Sequence, residues 1–148
     1  MMWNKLKDIF SPETYEEGIT SNSAIAAILV RAAKTDNEYT QSEKKLIDHL
    51  LANNLNISKE DARLLRLQGQ ELEMEINDNV QLTRIIKQDI PYEDRHQLIE
   101  QLWSIVLDDN NRTPEENKLM RVLTHLLGIS DVNSAKARSK VLNKKNLS

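Results

Sequence analysis

The chain has 148 residues, which is enough for one domain with a buried core. Its net charge of -3, with 29% charged and 39% apolar residues, is ordinary for a globular protein and does not indicate a nucleic-acid binder. The absence of cysteine excludes disulfides, thiolate metal sites and thiol redox chemistry, and no apolar run is long enough to span a membrane.

The same composition favours helices over strands. The chain has three Gly and three Pro, too few for the many tight turns of an all-β protein, and good helix formers dominate the rest. We therefore expect an all-α protein with about seven helices in one compact bundle. We also expect a cytoplasmic location, because the first residues are too short and too charged a stretch for a signal peptide.

The first stretch with helical periodicity is amphipathic. Its apolar residues are Met2, Trp3, Leu6, Ile9 and Phe10. We expect residues 1–19 to form an N-terminal arm that packs on a helical domain over residues 20–148. The alternative is a contact of Met2–Phe10 with a partner or with a membrane surface, and the membrane contact would be weak because one short helix with Lys5 and Lys7 binds lipid weakly.

A nearly all-apolar helix follows over residues 21–34, and such a helix should be central and buried. It ends at the Asp-Asn pair of residues 36–37, where the asparagine tolerates the left-handed conformation that terminates helices. Thr40 and Glu43 then form a capping box, in which each side chain binds the other residue's backbone N–H. The helix that they begin should run to about Ala52.

The middle of the chain predicts three more helices. Ser58 begins a capping box and a helix that runs to about Glu75. The outer face of this helix should be acidic, with Glu71, Glu73 and Glu75. Asp78 caps a shorter helix, and Pro91 opens another that reaches the Asp-Asp pair of residues 108–109.

The clearest helix start lies in the last part of the chain. Thr113 is the cap, Pro114 takes the first position and Glu116 the third, and the helix ends at Gly128. A last helix follows, with Val132 among its inward residues and a basic outer face. That face has no interleaved aromatic residues, so we expect no nucleic-acid binding.

The helix starts at Thr40 and Thr113 belong to an internal repeat. Residues 28–50 and 101–123 agree at eight aligned positions, whereas roughly one or two identities are expected by chance. The identities are Leu29/Leu102, Asp36/Asp109, Asn37/Asn110, Thr40/Thr113, Glu43/Glu116, Lys45/Lys118, Leu46/Leu119 and Leu50/Leu123. We therefore expect two duplicated hairpins, each of the form helix–acidic turn–helix.

Each acidic turn carries carboxylates that could bind a cation. The candidate ligands are Asp36, Glu38 and Glu43 in the first turn and Asp108, Asp109 and Glu116 in the second, and oxygen-only ligands suit Ca²⁺ or Mg²⁺. The spacing is not that of an EF-hand, since Ile47 stands where that loop needs a bidentate glutamate. A structural explanation stands beside this one. In this explanation, Glu43 and Glu116 serve only as capping-box residues. It does not account for Asp36 and Asp109, which stand at the negative ends of helix dipoles.

No arrangement typical of an enzyme is present in the sequence. His49, His96 and His125 are isolated and lack metal or triad spacing. The chain has no nucleophile elbow, no Gly-rich phosphate loop and no HExxH motif. A metal-dependent hydrolase would need a base and a nucleophile that the sequence does not identify, so we expect a non-enzymatic protein.

The residues around the two turns resemble the TerB-like family. This family includes the tellurite-resistance TerB proteins and the N-terminal domain of the membrane-anchored co-chaperone DjlA, and the chain is most similar to its stand-alone branch. The resemblance covers about residues 24–130. It rests on Leu29–Thr40 with Glu43, Arg95, Leu98–Glu100, Leu102, Trp103, Asp109, Pro114–Glu116, Leu119–Arg121 and Leu126–Ile129. The family's usual Asp-Gly is Asp-Asn in both turns of this chain.

The resemblance implies an all-helical domain with a role near tellurite or envelope stress. It also implies a divalent-metal site on Asp36, Glu43, Asp109 and Glu116, with Glu38 as a further candidate. The leading hypothesis is a non-enzymatic helical module whose acidic turns bind a divalent cation or a basic protein partner that the sequence does not identify. The alternative is a structural, scaffold or co-chaperone-associated interaction domain that holds no metal.

Overall fold

A computed structural model describes residues 19–35, 38–108 and 113–147. Within these ranges the chain forms seven α-helices and no strand, which confirms the all-α bundle expected from the sequence. The helices are α1 (Ser21–Lys34), α2 (Gln41–Leu55), α3 (Lys59–Glu75), α4 (Asn79–Asp89), α5 (Tyr92–Val106), α6 (Pro114–Leu126) and α7 (Asp131–Leu147). None of the described helices combines the length and apolar character needed to cross a membrane. Asp36, Asp109 and the predicted arm Met2–Phe10 lie outside the described residues.

The core of the bundle is built around α1. Ten of its 14 residues are buried, and Ile28, Leu29 and Val30 have no exposed surface. The helix contacts α2, α3, α4, α5 and α6. A helix that is apolar on every side has no face to offer to water, so the remaining helices pack around it as the sequence predicted.

The closest helix pair is α1 and α3, which run parallel. A Cβ atom at Gly69 would lie 2.6 Å from the Ala26 Cβ and 2.9 Å from the Ala27 nitrogen, closer than real Cβ atoms approach. Farther along the pair, Arg31 of α1 donates to the backbone of Glu73 near the end of α3. Small residues at the crossing therefore set the distance between these two helices.

Three helices begin with complete capping boxes, at Thr20, Thr40 and Thr113. The second and third were predicted. The first was not, because a serine stands at its third helical position instead of the usual glutamate or glutamine. At the start of α3 the structure shows one of the two hydrogen bonds of the predicted capping box, in which the Ser58 hydroxyl accepts from the Asp61 N–H at 3.0 Å.

Two helix ends use left-handed residues. α2 continues to Leu55, beyond the expected end at Ala52, and stops at Asn56 with a φ of 56°. Asparagine tolerates this conformation better than most residues, so Asn56 is the effective terminator. α6 ends as predicted, since Gly128 has a φ of 78° and the Ile129 N–H bonds back to the last turn of the helix.

Two side chains face differently from the sequence-based expectation. Glu73 was expected on an acidic outer surface, but its side chain is 14% exposed and pairs with Arg31 of α1. Val132 was expected inside and is 65% exposed. α7 instead turns Ser134 inward, where its hydroxyl accepts from the Trp103 indole N–H at 3.1 Å.

Candidate functional site at the two acidic turns

The first turn leads into a buried glutamate at the start of α2. Glu43 is 7% exposed, and its Oε1 accepts from the Thr40 N–H at 2.9 Å. In return the Thr40 hydroxyl accepts from the Glu43 N–H at 3.1 Å. The carboxylate lies in the first turn of α2, where the positive end of the helix dipole favours negative charge. Its orientation is therefore fixed by the helix start itself.

The second turn leads into the same arrangement at the start of α6. Glu116 is 4% exposed, and its Oε1 accepts from the Thr113 N–H at 2.8 Å. The Thr113 hydroxyl accepts from the Glu116 N–H at 3.1 Å, and Pro114 takes a position that lacks an N–H to satisfy. The two buried carboxylates thus use the same oxygen, with the same partner atom, in nearly equal geometry.

The described flanks of both turns meet at one end of the bundle. Thr35 at the end of α1 and Lys118 near the start of α6 line a common groove. Leu46 near the start of α2 and Asp108 after the end of α5 line another. The elements that enter and leave the two turns are therefore neighbours, α1 with α6 and α2 with α5.

Tyr39 connects the first turn to α3 through a polar network. Its hydroxyl donates to Gln70 Oε1 at 2.6 Å, and the same oxygen accepts from Arg66 Nη1 at 2.7 Å. Arg66, which is 6% exposed, also donates to both carboxylate oxygens of Asp48 in α2, at 2.6 and 3.3 Å. The network holds the first turn, α2 and α3 in one arrangement.

Burial and charge act in opposite directions on the pKa values of this network. Burial raises the pKa of the Tyr39 phenol, and the hydrogen bond and charge of Arg66 offset part of that rise. Burial lowers the pKa of Arg66, but the hydrogen bond and charge of Asp48 outweigh it and the pKa is raised. The network therefore holds a charged guanidinium beside a neutral phenol.

Arg31 closes the C-terminal end of α3 next to the first turn. It donates to the backbone oxygens of Glu73, at 3.0 Å, and Ile76, and to Asn79 Oδ1 at 2.7 Å. Its Nε also pairs with the Glu73 carboxylate at 3.2 Å, and Lys34 pairs with that carboxylate at 2.8 Å. A cation at the negative end of a helix dipole is favourable, so the last turn of α1 is held to α3.

The predicted ligands that the structure describes differ in their exposure to solvent. Glu43 and Glu116 are buried, and Glu38 is exposed. Asp36 and Asp109 lie outside the described residues. Within the part of the chain that is described, no three His, Asp or Glu side chains are grouped closely enough to hold a metal ion. The assignment of these five residues to a cation site stays a prediction.

Sequence reasoning missed the pair of Arg66 and Asp48. A usable signal was present, because position 66 lies on the same helix face as Ala62 and Gly69, which are both buried. A charged residue on a buried helix face needs a partner of opposite charge.

A family model describes most of the chain. The model for tellurite resistance protein TerB matches residues 22–139, from the start of α1 to the middle of α7, and includes both acidic turns. No match is found among curated proteins or among solved structures.

Proposed function

Because the chain belongs to the TerB family of tellurite-resistance proteins, we propose that it is a non-enzymatic cytoplasmic module in tellurite or stress resistance whose acidic turns bind a divalent cation. Ca²⁺ and Mg²⁺ are the cations that suit an all-oxygen ligand set. The proposed ligands are Asp36, Glu38, Glu43, Asp109 and Glu116.

The observation that carries the proposal is the matching geometry of Glu43 and Glu116. Each carboxylate is buried at the positive end of a helix, with Oε1 held by the N–H of the capping threonine. A ligand that is already oriented loses little conformational freedom when a cation arrives. The sequence adds an aspartate seven positions before each glutamate, at Asp36 and Asp109.

Calorimetry on the full chain tests the proposal with Ca²⁺, Mg²⁺ and Mn²⁺. Wild type should bind at least one of them and gain thermal stability at millimolar cation, because binding to the folded state alone raises its free energy of unfolding. The double variant Asp36→Asn/Asp109→Asn should lose both effects.

A matched control is Asp89→Asn/Asp131→Asn, which makes the same charge change at exposed sites outside the turns. It should bind cation as wild type does. If wild type shows neither heat nor a thermal shift with any of the three cations at millimolar concentration, the cation function is wrong.

A structural or co-chaperone-associated scaffold is the second candidate, and the complete capping boxes favour it. Glu43 and Glu116 already serve the helix starts, each box contributing about 1 kcal/mol, and need no metal for that role. In this case Asp36→Asn/Asp109→Asn should be as stable as wild type or more so, with no dependence on cation, because acids at helix C-termini oppose the dipole. A basic protein partner would use the same acids and would be detected by its own binding, not by a cation.

A further inference from the structure

The outer face of α3 carries an apolar row that the described helices leave exposed. Leu64, Leu67 and Met74 are 45%, 36% and 72% exposed. Their spacings of three and seven positions place them on one side of the helix. The opposite side, which includes Gly69, is buried against α1. We call Leu64, Leu67 and Met74 the α3 stripe.

No other described helix has such a row. Four further large apolar residues are exposed in the described ranges, one on each of α4, α5, α6 and α7, and they are Val80, Tyr92, Val122 and Val132. Single apolar residues are normal on a protein surface. Three in a row along one helix indicate a surface that another segment covers.

The charges beside the stripe restrict what can cover it. Glu71 and Glu75 are exposed on the same side of α3, and neither forms an ion pair with a described residue. Arg63, at the other border, is already paired with Glu60. A segment that covers the stripe should therefore be apolar on one side and carry positive charge at the edge of that side.

The predicted N-terminal arm has this character. It lies outside the described residues, and its sequence predicts a helix over residues 2–10. The apolar side of this helix consists of Met2, Trp3, Leu6, Ile9 and Phe10, and the edges carry Lys5 and Lys7. Nine helical residues are about 13.5 Å long, and the ten steps from Leu64 to Met74 are about 15 Å. The two apolar faces therefore match in length.

The start of α1 lies level with the start of the α3 stripe. The two helices run parallel, because Ala26 lies against Gly69 and Arg31 still reaches the end of α3. Ser21 and Leu64 each stand five positions before the contacting pair. The chain that leads into α1 therefore approaches the bundle near the Leu64 end of the stripe.

Residues 11–18 are long enough to connect the arm to α1. Eight residues span up to about 26 Å when extended. A helix is about 10 Å across, so a path halfway round α3 measures roughly 16 Å. The path is shortest when Phe10 lies near Leu64. This makes the arm antiparallel to α3 and brings Met2 toward Met74.

We propose that residues 2–10 pack as a helix along the α3 stripe, with their apolar side chains on the stripe and their lysines beside its acidic border. The contact is independent of cation binding at the turns. A second copy of α3 fits less well, because it would bring two acidic borders together. An anionic membrane surface would repel the same border.

Cross-linking in the full chain tests the proposal, and the absence of native cysteine makes it specific. Leu6→Cys/Leu67→Cys places one thiol at the middle of each face and should form a disulfide within one chain. Leu6→Cys/Val132→Cys is the matched control, because Val132 is also an exposed apolar residue but lies on α7, which packs on α5 and α6. The first pair should oxidise about tenfold faster or more, measured by thiol labelling over time.

The indole N–H signal of Trp3 in ¹⁵N spectra gives a second measurement that needs no cysteine. Trp103 supplies the other indole signal, and Trp3→Phe identifies which signal belongs to Trp3. Leu67→Glu should move the Trp3 signal toward its random-coil position, because a charge on the stripe disfavours burial of the arm. Val132→Glu should leave it in place. Both substitutions are at exposed sites, and the backbone spectrum of each variant shows whether it is folded.

Three results would overturn the proposal. Equal oxidation rates of the two cysteine pairs would place the arm elsewhere. A disulfide-linked dimer that forms faster in Leu67→Cys than in Val132→Cys would assign the stripe to a second copy of this chain. A Trp3 signal at its random-coil position in wild type, which broadens when phosphatidylcholine–phosphatidylglycerol vesicles are added, would assign the arm to a membrane surface.

Discussion

The contact between α1 and α3 (the α1–α3 seam) has no room for a methyl group at Gly69, whereas the contact between α2 and α5 (the α2–α5 seam) is lined by two hollows of about 410 and 180 Å³. At the first seam, Gly69 lies against Ala26 and Ala27. At the second, the polar side chains of Asn54, Gln97 and Gln101 line both hollows. Both seams belong to one bundle, and they differ chiefly in the residues that face each other.

The difference shows how the residues at a helix contact determine what that contact contributes to the free energy of folding. Close backbone approach at Gly69 excludes water and gives dense van der Waals contact, so the α1–α3 seam contributes to the free energy of folding. A seam lined with amides forgoes part of such contact, because its polar side chains leave space that water fills.

Gly69→Ala should break the closed seam and give the largest effect. Its new Cβ would lie 2.6 Å from the Ala26 Cβ and 2.8 Å from the Ala26 carbonyl carbon, so the two helices must separate. Overpacking costs about 1–3 kcal/mol or more, and the better helix propensity of alanine returns about 1. We expect a net loss of roughly 2 kcal/mol in the free energy of unfolding, measured by urea denaturation.

The double variant Ala26→Gly/Gly69→Ala is the control for this clash. It removes the nearest atom, although the backbone of Ala26 and Ala27 still lies within 3 Å of the new Cβ. Because Ala26→Gly alone costs about 1 kcal/mol of helix propensity, the expected sign of the clash is a loss in the double variant smaller than the sum of the losses in the two single variants. If Gly69→Ala were as stable as wild type, the seam would be looser than described and the contrast with α2–α5 would fail.

Arg31→Met should weaken the polar end of the same seam by a smaller amount. The variant keeps a long apolar side chain but leaves the Glu73 and Ile76 carbonyls, and the Glu73 carboxylate, without the guanidinium. Loss of a partner for partly buried groups predicts a decrease of about 1–2 kcal/mol in the free energy of unfolding.

Arg63→Met is the control for the loss of an arginine from a helix. Arg63 pairs with Glu60 on the exposed face of α3, where both side chains are largely in water. Exposed pairs contribute little, so its urea midpoint should match that of wild type. An equal loss in Arg31→Met and Arg63→Met would mean that the end of α3 is not held by α1.

Asn54→Ala should test the open seam and give the smallest effect. It removes the exposed bridge to Gln97, so the free energy of unfolding should change by no more than about 0.5 kcal/mol. A loss as large as that of Gly69→Ala in the same urea experiment would show that α2 and α5 also depend on their contact for folding.

The parts of this fold that could be predicted from sequence are those set by local patterns. The apolar run of α1 indicated burial on every side, and the threonine caps of α2 and α6 indicated where those helices begin. Both follow from neighbours within one or two helical turns.

The parts that could not be predicted depend on distant residues. Glu73 looks like one of several surface glutamates until Arg31, 42 positions earlier, is placed beside it. Gln101 looks like an ordinary polar residue on a helix, and only the packing of α2 and α7 against α5 shows that it is buried. At the candidate site, the caps predicted the positions of Glu43 and Glu116, but their common end of the bundle follows from tertiary structure.

The central position of α1 also determines how the chain must fold. α1 belongs to the first of the two helix hairpins, yet it is buried largely by α3, α4 and α5, which come later in the sequence. The first hairpin alone would leave the apolar surface of Ile28 and Leu29 in water. Helices α1 and α2 are therefore not an independent folding unit. The bundle forms cooperatively, through contacts that close long stretches of chain.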